Sequence, residues 1–150
     1  MSILVDDFMR EAIKEAEQGF AEGGIPIGSV LVQNGKIIGR GHNRRVQNND
    51  PTAHAEIECF RNAGRIGDYR NTVLYSTLMP CSMCAGSAVL FGVPTVIAGE
   101  NRTFKSSGQW MADNGINVTD LNLDECYELL QKFARLHLKI WNEDIGIAGD

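Results

Sequence analysis

Residues 71–84, N-T-V-L-Y-S-T-L-M-P-C-S-M-C, decide the architecture. Asn71 to Thr77 hold β-branched and aromatic residues in a run too short for a helix, so a half-buried strand is expected there. Pro80 comes next, and a proline with preset φ and no amide to leave unpaired opens a helix readily. The chain therefore passes from strand to helix within a few residues, and the helix carries Cys81 and Cys84. Such strand–helix units build layered α/β folds with parallel pairing and right-handed crossovers.

Upstream, Phe8, Met9, Ala12, Ile13, Ala16 and Phe20 recur at helical spacing, which predicts a helix from about Asp6 to Glu22 covering a sheet. Gly23-Gly24 and Pro26 interrupt it, and Ile27 to Val32 reads as a strand. Asn34-Gly35 tolerates positive φ at both positions and so predicts a two-residue hairpin with Lys36 to Gly41 returning antiparallel. His42-Asn43 falls just beyond, at a rim where His42 could help order the Asn43 loop. Asp50-Pro51-Thr52 reads as a loop into a helix capped by Thr52, with Ala53 and His54 in its first turn.

Downstream, a strand at Thr95 to Gly99 precedes an irregular segment through Phe104 and Gly108. A short helix at Gln109 to Asn114, a strand at Asn117 to Leu121 and a helix over Asp124 to His137 follow, with His137 on a helix face. The tail I-W-N-E-D-I-G at 140–146 is too short for periodicity to assign. The expected fold is a three-layer α/β/α sandwich with a five-stranded mixed sheet, forming one domain over residues 1–150.

With 43% hydrophobic and 22% charged residues, the chain is globular rather than disordered. Two acids interrupt the amino terminus and no apolar stretch nears about 20 residues, which points to a soluble cytoplasmic protein with no membrane partner. Cys59 and Cys126 lie in apolar-periodic helices and read as core thiols. A net charge of −5 argues against broad attraction to nucleic acid, although Lys36, Arg40, Arg44 and Arg45 could form a local basic patch.

His54, Glu56, Cys81 and Cys84 carry the chemistry. One imidazole and two thiolates hold Zn2+ while leaving a fourth position for water, whereas a purely structural site needs a fourth protein ligand that no spacing signals. C-x-x-C alone also fits a structural zinc or a redox pair. H-x-E followed by P-C-x-x-C is the pattern of zinc nucleobase deaminases, in which the Glu is an acid–base group and not a ligand. Glu56 would accept a proton from the activated water and return protons to a ring nitrogen and the departing amine.

The chain resembles the cytidine deaminase-like superfamily, particularly the small yeast-type cytosine deaminases. The resemblance spans nearly the whole chain through G-G-I-P-I-G at 23–28, G-R-G-H-N at 39–43, H-A-E at 54–56, P-C-S-M-C at 80–84, G-E-N-R-T-F-K-S at 99–106 and W-N-E-D-I-G at 141–146. It implies that His54, Cys81 and Cys84 bind zinc and that Glu56 shuttles protons. It also implies that Asn43 and the Ala55 backbone amide bind polar ring edges, while Phe104, Trp141 and Asp144 close over and select the substrate. A compact homodimer acting on a free base, cytosine before isocytosine or guanine, is implied as well. From the residues alone, Asn43 reads as a turn residue, Phe104 as a loop closure, Trp141 as a core anchor and Asp144 as a solvated acid or a cap.

D-P-T-A-H-A-E at 50–56 and P-C-S-M-C-A-G at 80–86 equally resemble tRNA adenosine deaminases. Residues 120–150, with seven acids against three Lys/Arg, favour a small base over RNA. A noncatalytic zinc interaction protein is the third reading.

Overall fold

The strand at Thr72–Leu78 (β3) lies at the centre of a five-stranded sheet ordered β2-β1-β3-β4-β5 in this computed structural model, which describes residues 6–147. The ends of the expected domain, 1–5 and 148–150, lie outside the described residues. Gly28–Gln33 (β1) pairs antiparallel with both Lys36–His42 (β2) and β3. Thr95–Glu100 (β4) and Asn117–Asp120 (β5) then continue parallel to β3. The sheet is thus mixed: an antiparallel hairpin precedes a parallel portion. Asn34 and Gly35, at φ 53° and 76°, make the two-residue turn that sets Gln33 opposite Lys36.

Side-chain alternation along the strands divides the core. Val30, Val32 and Tyr75 face Asp7–Ala21 (α1) and Asp124–Leu136 (α6), packing with Met9, Ala12, Ile13 and Cys126. Leu31, Leu74 and Val96 face the opposite layer of Ala55–Ala63 (α3), Ser82–Phe91 (α4) and Gly108–Asp113 (α5). This is the α/β/α sandwich, with Cys59 and Cys126 buried as expected. Gly28 permits close packing of α1, because a Cβ there would lie 2.0 Å from the Ala12 carbonyl oxygen.

Four local expectations change. His54, not Thr52, occupies the N-cap of α3 in extended conformation, since the Thr52 amide and hydroxyl both donate to Asp50 Oδ1 at 2.8 Å and are spent on that turn. Pro80 does not open α4: it lies one residue before the N-cap, Cys81, whose carbonyl accepts from Ala85 N–H. Arg45–Asn48 forms an extra helical turn (α2). His137 breaks the carboxy-terminal helix rather than sitting on its face, and Leu138–Asp144 (α7) follows as a separate helix.

Because β1 runs antiparallel to its two neighbours, its start meets the ends of β2 and β3 at one edge of the sheet. Asn43 N–H donates to the Ile27 carbonyl there, and Met79 N–H donates to Glu100 at the end of β4. Ligands of α/β sheets bind at such carboxyl edges, where the loops leave the strands.

Candidate active site

The amino termini of α3 and α4 converge at that edge. His54 Nδ1 lies 3.4 Å from Cys81 Sγ and 3.7 Å from Cys84 Sγ, and the three donor atoms lie within 4.8 Å of one another. A tetrahedral zinc with ordinary N and S bond lengths separates such donors by about 3.6 Å. The set therefore fits Zn2+, with His54 offering Nδ1. Its other nitrogen, Nε2, lies 3.1 Å from Asp144 Oδ1, a contact too poorly aligned for a hydrogen bond but close enough for the carboxylate to favour a proton on Nε2 and leave Nδ1 free to ligate.

The electrostatics of the donors agree with this fit. The bond from Cys84 draws the Cys81 thiol down to about 4 against burial, with His54 adding to the pull, while Cys84 is driven well above the usual thiol range by the same sulfur pair and by burial. Burial works against a charged His54, yet Asp144 and then Cys81 outweigh it and hold the imidazole up at about 10. Positive charge is thus stabilised between one nitrogen and two sulfurs, where a metal cation would replace protons. Glu56, buried beside them, is pushed up to about 7 by burial and then by the Cys81 charge.

A narrow pocket opens on this cluster. Asn43, His54, Ala55, Glu56, Cys81, Phe104, Trp141 and Asp144 line it, so the fold brings together every residue singled out in the sequence, with Cys84 directly behind Cys81. Asn43 is fully buried, and its Oδ1 accepts from Arg45 N–H at 2.9 Å, which turns Nδ2 toward Asp144 Oδ2 at 3.4 Å. Ala55 contributes one of the first amides of α3, which have no intrahelical acceptor.

Asp144 is not a solvated acid: its side chain is only 3% exposed, and Arg45 Nη1 stands 3.7 Å from Oδ1. That buried oxygen has no aligned hydrogen-bond donor within the protein. Trp141 is both wall and core anchor, packed with Ile25, Ile27, Leu130 and Phe133. Ile27, Leu78, Met79 and Ile145 complete the lining and went unnoticed in the sequence, where isolated apolar residues carry no site signal. Arg45 was noted only as part of a basic patch. No such patch forms from the arginines: Arg40 is held by Glu11 and Glu15, Arg44 lies near Glu22, and Arg45 lies near Asp144.

A layered α/β fold with a His/Cys/Cys zinc site and a buried glutamate defines a zinc-dependent deaminase. Residues 4–100 match the family model of the cytidine and deoxycytidylate deaminase zinc-binding region, and the chain belongs to that family. It is 39% identical over 141 residues to a cytosine deaminase of Candida albicans, a match covering 92% of this chain and 94% of that protein. A tRNA-specific adenosine deaminase of Streptococcus pyogenes serotype M18 is 38% identical over 140 residues, covering 85% and 88% respectively. A solved tRNA:A34 deaminase structure is 31% identical with a TM-score of 0.71, covering 82% of this chain and 98% of that one. Identity does not separate the two activities; the pocket must.

Proposed function

We propose that this single-domain protein hydrolyses the amino group of a free nucleobase, converting cytosine to uracil with release of ammonia, as part of pyrimidine salvage. The observation that carries the reading is the closure of the pocket by α7, which brings Trp141, Asp144 and the following Ile145 over the Asn43 and Glu56 wall. The enclosed space is small, which favours a free single ring; a base still joined to RNA would have to lay its sugar and phosphates in the open cleft beside it, between Pro51, Ser82, Met83 and Phe104.

In this reading His54, Cys81 and Cys84 hold zinc, which supplies the acidity that makes water nucleophilic near neutral pH. Asn43 Nδ2 donates to the ring carbonyl, and the Ala55 amide supplies a second donor. Asp144 Oδ1, lacking an aligned donor within the protein, accepts from the amino group that leaves. Glu56 moves protons at its carboxylate, to a ring nitrogen and then to the departing amine. Phe104 and Trp141 flank the ring and exclude bulk water.

The similarity to the Streptococcus pyogenes enzyme supports a second reading, deamination of adenosine in tRNA. The pairing of Arg40, Arg44 and Arg45 with acids weakens the phosphate grip that this reading needs. Ammonia release and product mass measured with cytosine, isocytosine, guanine, cytidine and adenosine-containing tRNA decide between them. Turnover of cytosine alone, or of cytosine well above the rest, is expected; turnover of tRNA without any free base overturns the proposal.

A homodimer through the α4 face is part of the same proposal. Leu90 is 80% exposed and Trp110, on neighbouring α5, 46%, an apolar face that a second copy would cover. No helix among the described residues is long and apolar enough to cross a membrane. The free Cys81 and Cys84 thiols that zinc requires suit the reducing cytoplasm, the proposed location.

A further inference from the structure

His42 has no part in the chemistry above, yet it is buried with both ring nitrogens against carboxylates. Nδ1 lies 2.9 Å from Glu15 Oε1 and Nε2 lies 2.8 Å from Glu22 Oε1, both on or at the end of α1. Only the imidazolium donates from both nitrogens, so this geometry selects the charged form. The ring has little freedom to move: a methyl group at Gly19 of α1 would sit 3.1 Å from Cδ2.

The clamp reaches the pocket through the next residue. Gln47 Nε2 donates both to Glu22 Oε1 at 3.1 Å and to the Asn43 carbonyl at 3.3 Å, so Glu22 ties His42 to the far side of Asn43. We propose that His42 is a positioning residue whose ion-paired imidazolium sets Asn43 for base recognition, a role that rests on the reading of Asn43 given above.

Four cations, His42, Arg40, Arg44 and, on Glu11 at 2.7 Å, Lys14, meet three carboxylates in this cluster. Arg40 binds Glu15 at 2.9 Å and Glu11 at 3.4 Å; Arg44 Nη1 stands 3.6 Å from Glu22 and 3.4 Å from His42 Nε2, where its charge opposes that of His42 directly, as that of Arg40 does across Glu15. The bond to Glu15 raises the His42 pKa first, burial opposes it, and Glu22 adds to the rise. A raised imidazole pKa means that the clamp holds below the shifted value, down to where Glu15 and Glu22 take up protons, and is lost as pH climbs through it. Loss of the proton then leaves at least one carboxylate without its donor, and Asn43 loosens.

The test uses the zinc-loaded enzyme. NMR titration should find His42 titrating above its ordinary value, with the Asn43 side-chain amide resonances following the same midpoint. Glu22→Gln, at the end of α1, should lower that midpoint and move the alkaline limb of kcat/KM for cytosine with it. His42→Gln should raise KM by about ten-fold, the scale of one lost hydrogen bond, with kcat less affected and the alkaline limb flattened. Asn43 resonances indifferent to the His42 titration overturn the proposal, as does a folded His42→Gln variant with ordinary KM and pH profile. A merely structural His42 would lower the melting temperature and nothing else. Asn43→Ala separates the two levels: an unchanged KM there overturns Asn43 as base reader and with it the KM effect, while the NMR coupling still decides the positional link.

Discussion

Replacing Asp144 by Asn tests the part of the pocket that joins metal site to substrate. The carboxylate meets His54 Nε2 at 3.1 Å through Oδ1, Arg45 Nη1 at 3.7 Å through the same oxygen, and Asn43 Nδ2 at 3.4 Å through Oδ2. Each neighbour is a donor, so an amide of the same shape must turn its NH2 toward one of them and withdraw the charge from all three. Hydrogen bonds to charged groups contribute about 1.5–3 kcal/mol, which converts to a loss of about ten- to 150-fold in kcat/KM. Outer partners of a metal-bound imidazole also contribute about 10–100-fold in metal affinity. Zinc competition against a chromophoric chelator, followed by ammonia release from cytosine at saturating zinc, measures the two effects separately. If both affinity and kcat/KM stay within two-fold of the parent, as estimated against the loss expected from a charged hydrogen bond, Asp144 neither orients His54 nor receives the amine.

Glu56→Gln should retain stoichiometric zinc while activity falls by about 10²–10⁴-fold, the usual contribution of a positioned acid–base group; metal analysis beside a cytosine assay checks it. Glu100, fully buried at the end of β4, accepts from Arg102 N–H, Thr103 N–H and the Thr103 hydroxyl and so folds the loop that presents Phe104. Glu100→Gln sets an NH2 against those donors and should cost about 1–3 kcal/mol in denaturant unfolding, with a raised KM. Stripping zinc with a chelator should lower the melting temperature, and excess zinc should restore it, because binding free energy is folding free energy at such a site. Leu90→Glu puts charge on the exposed face of α4 and should yield monomers in sedimentation velocity under conditions where the proposed dimer of the parent is expected; a parent that is itself monomeric refutes the dimer.

The legible and illegible parts of the molecule divide by the range of the interactions that fix them. The Asn34-Gly35 turn and the alternation in β1 and β3 are local, and the sequence displays them directly. The metal donors are nearly as local, since Cys81 and Cys84 share one helix end and His54 begins another. The cap of α3 falls two residues beyond the one that propensity selects, because Thr52 has a competing local partner in Asp50. The seven residues of α7 fall below the length at which periodicity is informative, and its position depends on Trp141 entering a core built from Ile25, Ile27, Leu130 and Phe133.

The pairings that tune the site leave no comparable motif. Asp144 reaches His54 across ninety positions, and His42 meets Glu15 and Glu22 across 27 and 20. This division has a chemical origin. A metal accepts a narrow range of donor distances, which closely spaced residues on helix ends satisfy and which therefore leaves a motif. Substrate selection demands only that a wall of suitable shape and polarity arrive from somewhere, and in the proposed function it arrives from the carboxy-terminal helix and the end of the hairpin. Two enzymes can therefore share D-P-T-A-H-A-E and P-C-S-M-C and still differ in substrate, because what closes the pocket over those motifs is written far away in the chain.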